Sequence, residues 1–189
     1  LRITAGAHRG RKLKVPQVMA TRPLIERARE GLMSHLASLL ADAVVWDLYA
    51  GSGILGLEAI SRGAAQVWAW EWSGKAVRQL KDNADLLGEA DKVQVLRADV
   101  LGLAKQFDDF PAPDIVFFDP PYADFRDGGK TRAQVWELFC QLGERLNPGG
   151  CMVVHTPRGE LSEQEQSALP NLGRRDYGNA SLWWWHRPD

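Results

Sequence analysis

An alternation of predicted strands and helices, running from about residue 44 to residue 155, is the feature that most constrains the fold. The predicted strands are Val44–Leu48, Gln66–Glu71, Val93–Ala98, Asp114–Phe118 and Cys151–His155. The predicted helices between them are Ile54–Ser61, Ser73–Leu87, Val100–Phe107 and Arg132–Leu146. Repeated strand–helix units require a parallel sheet that helices cover on both faces. We therefore expect an α/β fold with a mostly parallel sheet.

Short segments flank this alternation at both ends. Arg174–Tyr177 and Ser181–His186 surround Gly178-Asn179, a good hairpin turn, which predicts a closing antiparallel pair of strands. At the start, alternating apolar residues predict a β-hairpin over residues 1–15. Apolar residues at helical spacing then predict a helix over Leu24–Ala41.

Charge sets the N-terminal part apart from the rest of the chain. The whole chain has a net charge of −1, but its first 30 residues carry +6 and the remainder −7. The cations in this part are Arg2, Arg9, Arg11, Lys12, Lys14, Arg22, Arg27 and Arg29, opposed by Glu26 and Glu30. Such asymmetry indicates either a surface that faces a polyanion or a solvated surface with Arg–Glu pairs along one helix. We expect residues 1–41 to form a small basic unit and residues 42–189 the main α/β domain.

The composition bears on membrane insertion, cellular compartment and the state of the cysteines. Hydrophobic residues make up 45% of the chain, but no apolar run approaches the length of about 18 residues that a membrane span needs. We expect a monomer in the cytoplasm, without a membrane segment or signal peptide. Cys140 and Cys151 match no metal-ligand spacing, so reduced thiols are predicted. The four histidines form no recognisable metal or catalytic set, and we expect no metal; His35 and His155 are interpreted as structural.

A glycine-rich turn follows the first strand of the alternation. Gly51-Ser52-Gly53-Ile54-Leu55-Gly56 matches G-x-G-x-x-G between a strand and a helix, where a ligand approaches the backbone closely. Glu71 lies 20 residues beyond Gly51, at the end of the second strand, where a carboxylate can accept hydrogen bonds from both ribose hydroxyls. These features fit NAD and S-adenosylmethionine equally well.

Asp47 favours S-adenosylmethionine over NAD. It precedes Gly51 by four residues, where a negative charge suits the amino group of a methionine moiety and repels a pyrophosphate. Asp99, at the end of the third strand, is a candidate contact of the adenine amino group, with helix N-capping as the alternative. S-adenosylmethionine is the predicted cofactor. Its predicted contacts are Asp47, Tyr49, Ala50, Gly51, Ser52, Gly53, Glu71, Trp72, Asp99, Val100 and Asp119.

The sharpest catalytic signal is Asp119-Pro120-Pro121-Tyr122, at the end of the fourth strand. Ligands bind at the carboxyl ends of strands in open α/β sheets, so this loop borders the same crevice as the glycine turn. The Asp119 carboxylate and the Pro120 carbonyl are placed to accept the two hydrogens of an exocyclic amino group, while Tyr122 stacks on the base. Catalysis is then mainly positioning and electrostatics, with Asp119 as a candidate proton acceptor. We predict Asp119, Pro120, Pro121 and Tyr122 as the catalytic loop.

Together these motifs resemble the bacterial RsmD family of guanine-N2 methyltransferases. The resemblance rests on residues 47–53, 56–59, Glu71 and 119–122, and on the basic N-terminal stretch. It implies a class I S-adenosylmethionine-dependent, Rossmann-like methyltransferase domain over residues 42–189, with the small hairpin and helix placed before it. It also implies methylation of the exocyclic N2 amino group of a guanine in 16S ribosomal RNA, within an assembled or partly assembled small subunit.

The same resemblance assigns roles to the basic N-terminal residues. Arg9, Arg11 and Lys12 are implied to contact RNA phosphates, and Arg22, within Thr21-Arg22-Pro23, to line the cleft. A base inside folded RNA must also be turned outward to reach the pocket. The chain departs from the family pattern after this motif, where Leu24, Ile25 and Glu26 replace small polar residues.

Two alternatives remain open at this point. The same catalytic loop serves amino-methyltransferases that act on another RNA or on DNA, at adenine N6 or cytosine N4. The tryptophans Trp68, Trp70 and Trp72, on one face of the second strand, and Trp183, Trp184 and Trp185, in the last, are either base-stacking platforms or core packing; we favour packing.

Overall fold

A mostly parallel sheet of seven strands forms the centre of the computed structural model, which describes residues 1–15, 24–126 and 130–189. The strands are β1 (Val44–Leu48), β2 (Gln66–Glu71), β3 (Val93–Arg97), β4 (Ile115–Phe118), β5 (Cys151–Pro157), β6 (Gly173–Tyr177) and β7 (Ala180–His186). Their order across the sheet is β3-β2-β1-β4-β5-β7-β6. The first five strands are parallel, whereas β7 runs antiparallel to both β5 and β6. The predicted parallel sheet with a closing antiparallel hairpin is confirmed.

Helices cover both faces of this sheet. They are α1 (Glu26–His35), α2 (Ile54–Ser61), α3 (Gly74–Leu87), α4 (Tyr122–Arg126), α5 (Lys130–Arg145) and α6 (Glu163–Ser167), with 3-10 helices at Ala90–Lys92 and Val100–Asp109. Alternate residues of β4 enter two separate apolar cores: Ile115 and Phe117 enter one, Val116 and Phe118 the other. The first core contains buried residues of α1, α2 and α3, and the second those of α5 and the longer 3-10 helix. In the part of the chain that the structure describes, no helix is long and apolar enough to cross a membrane.

Helix boundaries differ from the prediction at several points. Helix α1 ends at His35 instead of Ala41, and the chain continues in turns through residue 39. Leu36 and Leu40 are nevertheless buried, in the same apolar core as the buried residues of α1. The segment predicted as a helix at Val100–Phe107 is a 3-10 helix, and the short helices α4 and α6 were not predicted.

The predicted N-terminal hairpin has the hydrogen bonds of a hairpin but little regular strand. Ile3 N donates to Arg11 O (3.0 Å) and Gly10 N donates to Ile3 O (2.8 Å), while the one β-bridge in the described part of residues 1–23 joins Arg2 and Lys12. Ile3 and Leu13 are buried in the same apolar core as α1, α2 and α3. The division of the chain at residue 41 stays a prediction.

Polar contacts fasten this hairpin to α2 and α3. Glu58 of α2 accepts from Thr4 N at 3.0 Å, and Ser61 donates its hydroxyl to Ala5 O at 2.7 Å. Asn83 of α3 accepts from Lys14 N (3.0 Å) and donates to the carbonyls of both Lys14 (2.9 Å) and Ser52 (3.0 Å). Asn83 is fully buried and so connects the hairpin with the turn that follows β1.

Candidate active site

The candidate site lies where three neighbouring strands end. Leu48 of β1 pairs with Trp70 of β2 on one side and with Phe118 of β4 on the other. The turn after Leu48, the carboxylate of Glu71 and the loop that begins at Asp119 therefore emerge side by side. This is the edge at which open α/β sheets bind their ligands.

The turn between β1 and α2 has an unusual backbone conformation. Tyr49 has φ 64°, and Gly53, which caps α2, has φ 77°. A Cβ at Gly53 would lie 2.6 Å from Leu80 Cγ of α3, so a side chain is excluded there as well as strained. Ala50, Gly51 and Ser52 are buried in this turn. Glycine at position 53 thus allows the turn to pack closely against α3.

The Glu71 carboxylate accepts hydrogen bonds from two backbone N–H groups, one in the glycine turn and one at the start of α3. Its Oε2 accepts from Gly51 N at 2.9 Å, and its Oε1 accepts from Ser73 N at 2.7 Å. Each carboxylate oxygen has two acceptor positions, so both oxygens keep capacity for a ligand hydroxyl. Glu71 therefore connects the glycine turn to the start of α3 by hydrogen bonds, and it is also the predicted ribose contact.

Asp47 is buried beneath the turn. It is 1% exposed, and its Oδ2 accepts from Gly56 N, in the first turn of α2, at 2.9 Å. Burial, with a smaller contribution from the charges of Asp119 and Glu71, raises the pKa of Asp47 to about 8, against the opposing effect of the Gly56 hydrogen bond. An arriving cation would favour the ionised carboxylate, which is the property expected of a contact for an amino group.

The ends of β2 and β3 hold three further predicted contacts. Trp72 follows Glu71 and is 70% exposed. Asp99 is exposed and accepts from Leu101 N at 3.0 Å, so it caps the 3-10 helix as the capping alternative requires. Val100 is buried in the second apolar core. Asp99 would therefore have to contact the adenine while its carboxylate also caps the 3-10 helix.

Two hydroxyl groups in the glycine turn suit a polar ligand. The hydroxyls of Tyr49 and Ser52 are buried and have no hydrogen-bond partner among the described residues. Burial raises the pKa of Tyr49, as do the nearby charges of Asp124 and Asp99, so the hydroxyl remains a neutral donor. Unsatisfied buried polar groups are uncommon and costly, so these two hydroxyls fit a turn that completes its hydrogen bonds with a ligand.

The predicted catalytic loop contains a hydrogen-bonded chain through a histidine. Asp119 N donates to Leu48 O at 3.2 Å, which fixes the start of the loop beside β1. Asp119 Oδ1 lies 2.8 Å from Nδ1 of His155, and Nε2 of His155 lies 2.9 Å from the hydroxyl of Tyr122. Pro120 is buried and Pro121 half-buried between them. The loop is thus connected at both ends to one buried side chain of β5.

His155 is the residue of this site that sequence reasoning missed. Its position at a predicted strand end leads to its interpretation as structural from the sequence. Phe118 pairs with Val154, so Asp119 and His155 directly follow paired residues on adjacent strands. The available signal was a polar residue at a strand end next to the catalytic loop, but using it requires knowledge that β4 and β5 are neighbours.

Three of the four predicted RNA-contacting side chains are exposed on the N-terminal hairpin. Arg9, Arg11 and Lys12 are exposed on the hairpin, where Arg11 also donates to Leu86 O at 2.9 Å. Arg22 lies outside the described residues. Arg2 contacts Glu26 of α1 at 2.6 Å, which is a pair between the hairpin and the helix and not one along a single helix. Their roles in RNA binding stay a prediction.

The structure explains two of the three departures after residue 23, those at Leu24 and Glu26. Leu24 is buried in the first core and Glu26 pairs with Arg2, whereas Ile25 is 57% exposed.

The tryptophans mostly pack in the core, as we favoured. Trp70 and Trp183 are buried, and Trp68, Trp184 and Trp185 pack against the two cores. Trp72 differs because it lies beyond the end of β2 and is exposed at the site.

A group of possible metal ligands lies near the opposite end of β5. His35, Cys151 and His186 place their ligand atoms within 4.8 Å of one another. The two Nε2 atoms are 3.2 Å apart, a distance that a hydrogen bond between the imidazoles explains without an ion. Cys140 and Cys151 are both free thiols, as predicted. The expectation of no metal stays a prediction.

This sheet order and the ligand edge define the class I S-adenosylmethionine-dependent methyltransferase fold. The family model described as "Conserved hypothetical protein 95" matches residues 1–186, and the chain belongs to this family, which is the RsmD family. The resemblance stated from the sequence is confirmed.

Relatives and solved structures agree with this assignment. The chain is 39% identical over 122 residues to ribosomal RNA small subunit methyltransferase D of Escherichia coli strain K12, a match that spans 65% of this chain but only 60% of that protein. It is 37% identical over 159 residues to the Haemophilus influenzae protein of the same name, covering 84% of this chain and 79% of that protein. The solved structure of the Escherichia coli protein yhhF covers 100% of this chain and is itself covered to 98%, with 30% identity and a TM-score of 0.80.

A more distant structure supports the fold alone. An RNA methyltransferase from Salinibacter ruber, solved in complex with S-adenosyl-L-homocysteine, has a TM-score of 0.64 and 21% identity, covering 89% of this chain and 95% of that one.

Proposed function

We propose that this protein is an S-adenosylmethionine-dependent methyltransferase that modifies the exocyclic N2 amino group of a guanine in small-subunit ribosomal RNA. The observation that carries the proposal is the position of Asp119-Pro120-Pro121-Tyr122 beside the glycine turn, at one edge of the sheet. The names of the Escherichia coli and Haemophilus influenzae relatives support ribosomal RNA as the substrate class.

The residues of the glycine turn fit S-adenosylmethionine. Asp47 would hold the methionine amino group, Glu71 the ribose hydroxyls, and Trp72 with Asp99 and Val100 the adenine. The hydroxyls of Tyr49 and Ser52, buried without partners, offer further polar contacts. When bound, this cofactor supplies a methyl group on a sulfonium, which an amino nitrogen placed in line can accept.

The loop residues prepare that amino nitrogen. Its lone pair is delocalised into the ring, so the base gains reactivity mainly from being held at attack distance. The Asp119 carboxylate and the Pro120 carbonyl accept the two amino hydrogens, and the ring of Tyr122 stacks on the base. The nitrogen loses one proton as the new N–C bond forms, and Asp119 accepts it before it passes to water.

The basic hairpin would contact the RNA around the target nucleotide. Arg9, Arg11 and Lys12 are exposed, with flexible cationic side chains suited to phosphates. A target base within folded RNA has to be turned out of its stack to reach Asp119. The remaining candidate is an amino-methyltransferase acting on another RNA or on DNA, at adenine N6 or cytosine N4.

Methyl transfer from labelled S-adenosylmethionine tests these candidates. The substrates are small ribosomal subunits that lack the modification, naked ribosomal RNA and DNA, and the labelled nucleoside is identified by mass. We expect N2-methylguanosine in the subunit or its RNA, lost in Asp119→Ala. Label in adenine or cytosine would instead establish the alternative, and no label with any substrate would refute both.

A further inference from the structure

His155 lies between the two ends of the catalytic loop. It comes from β5, is 5% exposed, and has each ring nitrogen within hydrogen-bond distance of a different loop side chain. Asp119 and Tyr122 are three positions apart, yet they contact opposite sides of the same imidazole. No motif of the loop itself requires a histidine at this place.

The donor and acceptor roles of these groups give the direction of the hydrogen bonds that join Tyr122, His155 and Asp119. A carboxylate can only accept, so the Nδ1 atom of His155 carries the hydrogen that faces Asp119 Oδ1. In the neutral imidazole Nε2 then has a lone pair, and the Tyr122 hydroxyl donates to it. Tyr122, His155 and Asp119 thus form a continuous donor-to-acceptor chain with one tautomer, 2.9 Å and 2.8 Å between heavy atoms.

The surroundings of this chain are apolar. A cavity of about 10 Å³, enough for about one water molecule, is lined by Asp119 and His155 together with seven apolar residues. Those residues are Leu24, Leu32, Leu55, Phe117, Phe118, Val153 and Leu182. Little water competes for the imidazole on this side, so its hydrogen bonds hold the loop side chains more firmly than at an exposed site.

We propose that His155 is a positioning residue for methyl transfer, a role that rests on the proposed function. Its Nδ1–H holds Asp119 Oδ1, which leaves Oδ2 as the oxygen directed to the amino group of the base. Its Nε2 holds the Tyr122 hydroxyl, which sets the plane of the stacking ring. One side chain thereby fixes the distance between the hydrogen-bond acceptor and the stacking surface that must act on the same base.

Three variants test this role. His155→Leu removes both hydrogen bonds at similar volume, His155→Gln keeps one donor and one acceptor, and Tyr122→Phe removes only the hydroxyl. His35→Gln is the matched control, a histidine near the opposite end of the sheet. Turnover, KM for the RNA substrate, cofactor affinity by calorimetry and thermal stability are measured for each.

We expect His155→Leu to lower kcat by up to about 100-fold, the effect of a misplacement of about 1 Å, with cofactor affinity unchanged. His155→Gln should recover part of this loss, and His35→Gln should match the wild type. Tyr122→Phe should lower kcat in the wild type but add little in His155→Leu, because both changes break the same chain. Wild-type kcat in His155→Leu, or fully additive effects, would overturn the proposal. If His155→Leu does not fold, His155→Gln and Tyr122→Phe decide it, and unchanged kcat in both would overturn it.

Nitrogen NMR separates failure of this inference from failure of the proposed function. In protein labelled with 15N-histidine, we expect His155 in the tautomer with hydrogen on Nδ1, and a change of its Nε2 shift in Tyr122→Phe. The opposite tautomer would overturn the inference even if the wild-type enzyme methylates RNA. A wild type that binds cofactor but methylates no substrate would refute the proposed function and with it the catalytic role of His155.

Discussion

The carboxylate of Asp47 accepts a hydrogen bond from the backbone N–H of Gly56 at 2.9 Å, within a fully buried part of the fold. Among the described residues this carboxylate accepts no other hydrogen bond, so the protein compensates only part of the hydration that the charged form loses on burial. Its pKa is raised from 3.8 to about 8 for that reason, and the neighbouring charges of Asp119 and Glu71 add to the shift. The apo protein therefore keeps this predicted cofactor contact mostly protonated near neutral pH.

Asp47→Asn should stabilise the apo protein, and increasingly so at higher pH. Between pH 3.8 and about 8 the folded wild type binds more protons than the unfolded chain, so its stability falls as the pH rises. The asparagine has no such loss, and its amide oxygen still accepts from Gly56 N. The difference in unfolding free energy should grow by at most about 1.4 kcal/mol per pH unit. Denaturant unfolding from pH 4 to pH 9 measures it; parallel pH profiles would contradict the buried, neutral Asp47.

Cofactor binding should release a proton from Asp47. Near pH 7 the apo carboxyl is mostly protonated, and the amino group of S-adenosylmethionine would favour its ionised form. Calorimetry in buffers of different ionisation enthalpy should show release of up to about one proton per cofactor bound, by linkage. The release should disappear in Asp47→Asn. Equal apparent enthalpies in all buffers for the wild type would remove Asp47 from the cofactor site.

Trp72→Ala should weaken cofactor binding without affecting folding. The side chain is 70% exposed, so its removal forfeits little buried surface in the apo protein. Loss of stacking on a base typically costs about tenfold or more in affinity. Cofactor titration by calorimetry, together with thermal denaturation, measures both quantities. Leu86→Ala, at a residue 44% exposed on α3, is the control and should leave both unchanged; an unchanged affinity in Trp72→Ala would assign the adenine to another surface.

Glu58→Ala should destabilise the protein strongly, and Glu26→Ala only slightly. Both acids pair with an arginine, but Glu58 is fully buried and contacts Arg62 at 3.1 Å, whereas the Arg2–Glu26 pair is exposed. Removing Glu58 leaves the N–H of Thr4 without its acceptor and leaves Arg62 with only the Thr4 hydroxyl at 2.9 Å, a loss of about 3–5 kcal/mol. Exposed pairs contribute little because water and salt screen them. Urea unfolding of the two variants should separate them clearly, and equal small effects would mean that the Glu58 contacts are dispensable.

Most of the sheet could be predicted from sequence because buried parallel strands leave continuous apolar runs. Strands β1 and β2 and helix α2 have the predicted bounds, and the glycine turn between β1 and α2 is where the motif places it. Helix α1 was predicted too long because Leu36 and Leu40 stay buried after the helix ends. Helices α4 and α6 have five residues each, which is too short for a helical period to be recognised.

The site was predictable where each residue lies close to a motif in sequence, and less so where contacts are long-range. Asp47, Glu71 and Asp119 could be located because each lies within one residue of the end of a predicted strand. The contact between Asp119 and His155 spans 36 positions and depends on β4 lying next to β5. Strand order is a property of the whole sheet, so periodicity within one strand does not reveal it.

The attachment of the N-terminal hairpin has a consequence for how its surface can diversify. Asn83 contacts only main-chain atoms of Lys14, Glu58 accepts from the N–H of Thr4, and Ser61 donates to the carbonyl of Ala5. Main-chain atoms are present whatever the side chain, so these contacts do not depend on the identity of the exposed Arg9 and Lys12, whereas the Arg11 side chain does contact α3, through Leu86 O at 2.9 Å. Substitutions at Arg9 and Lys12 can therefore change which polyanion the hairpin binds, while the main-chain contacts that attach the hairpin to α2 and α3 stay the same.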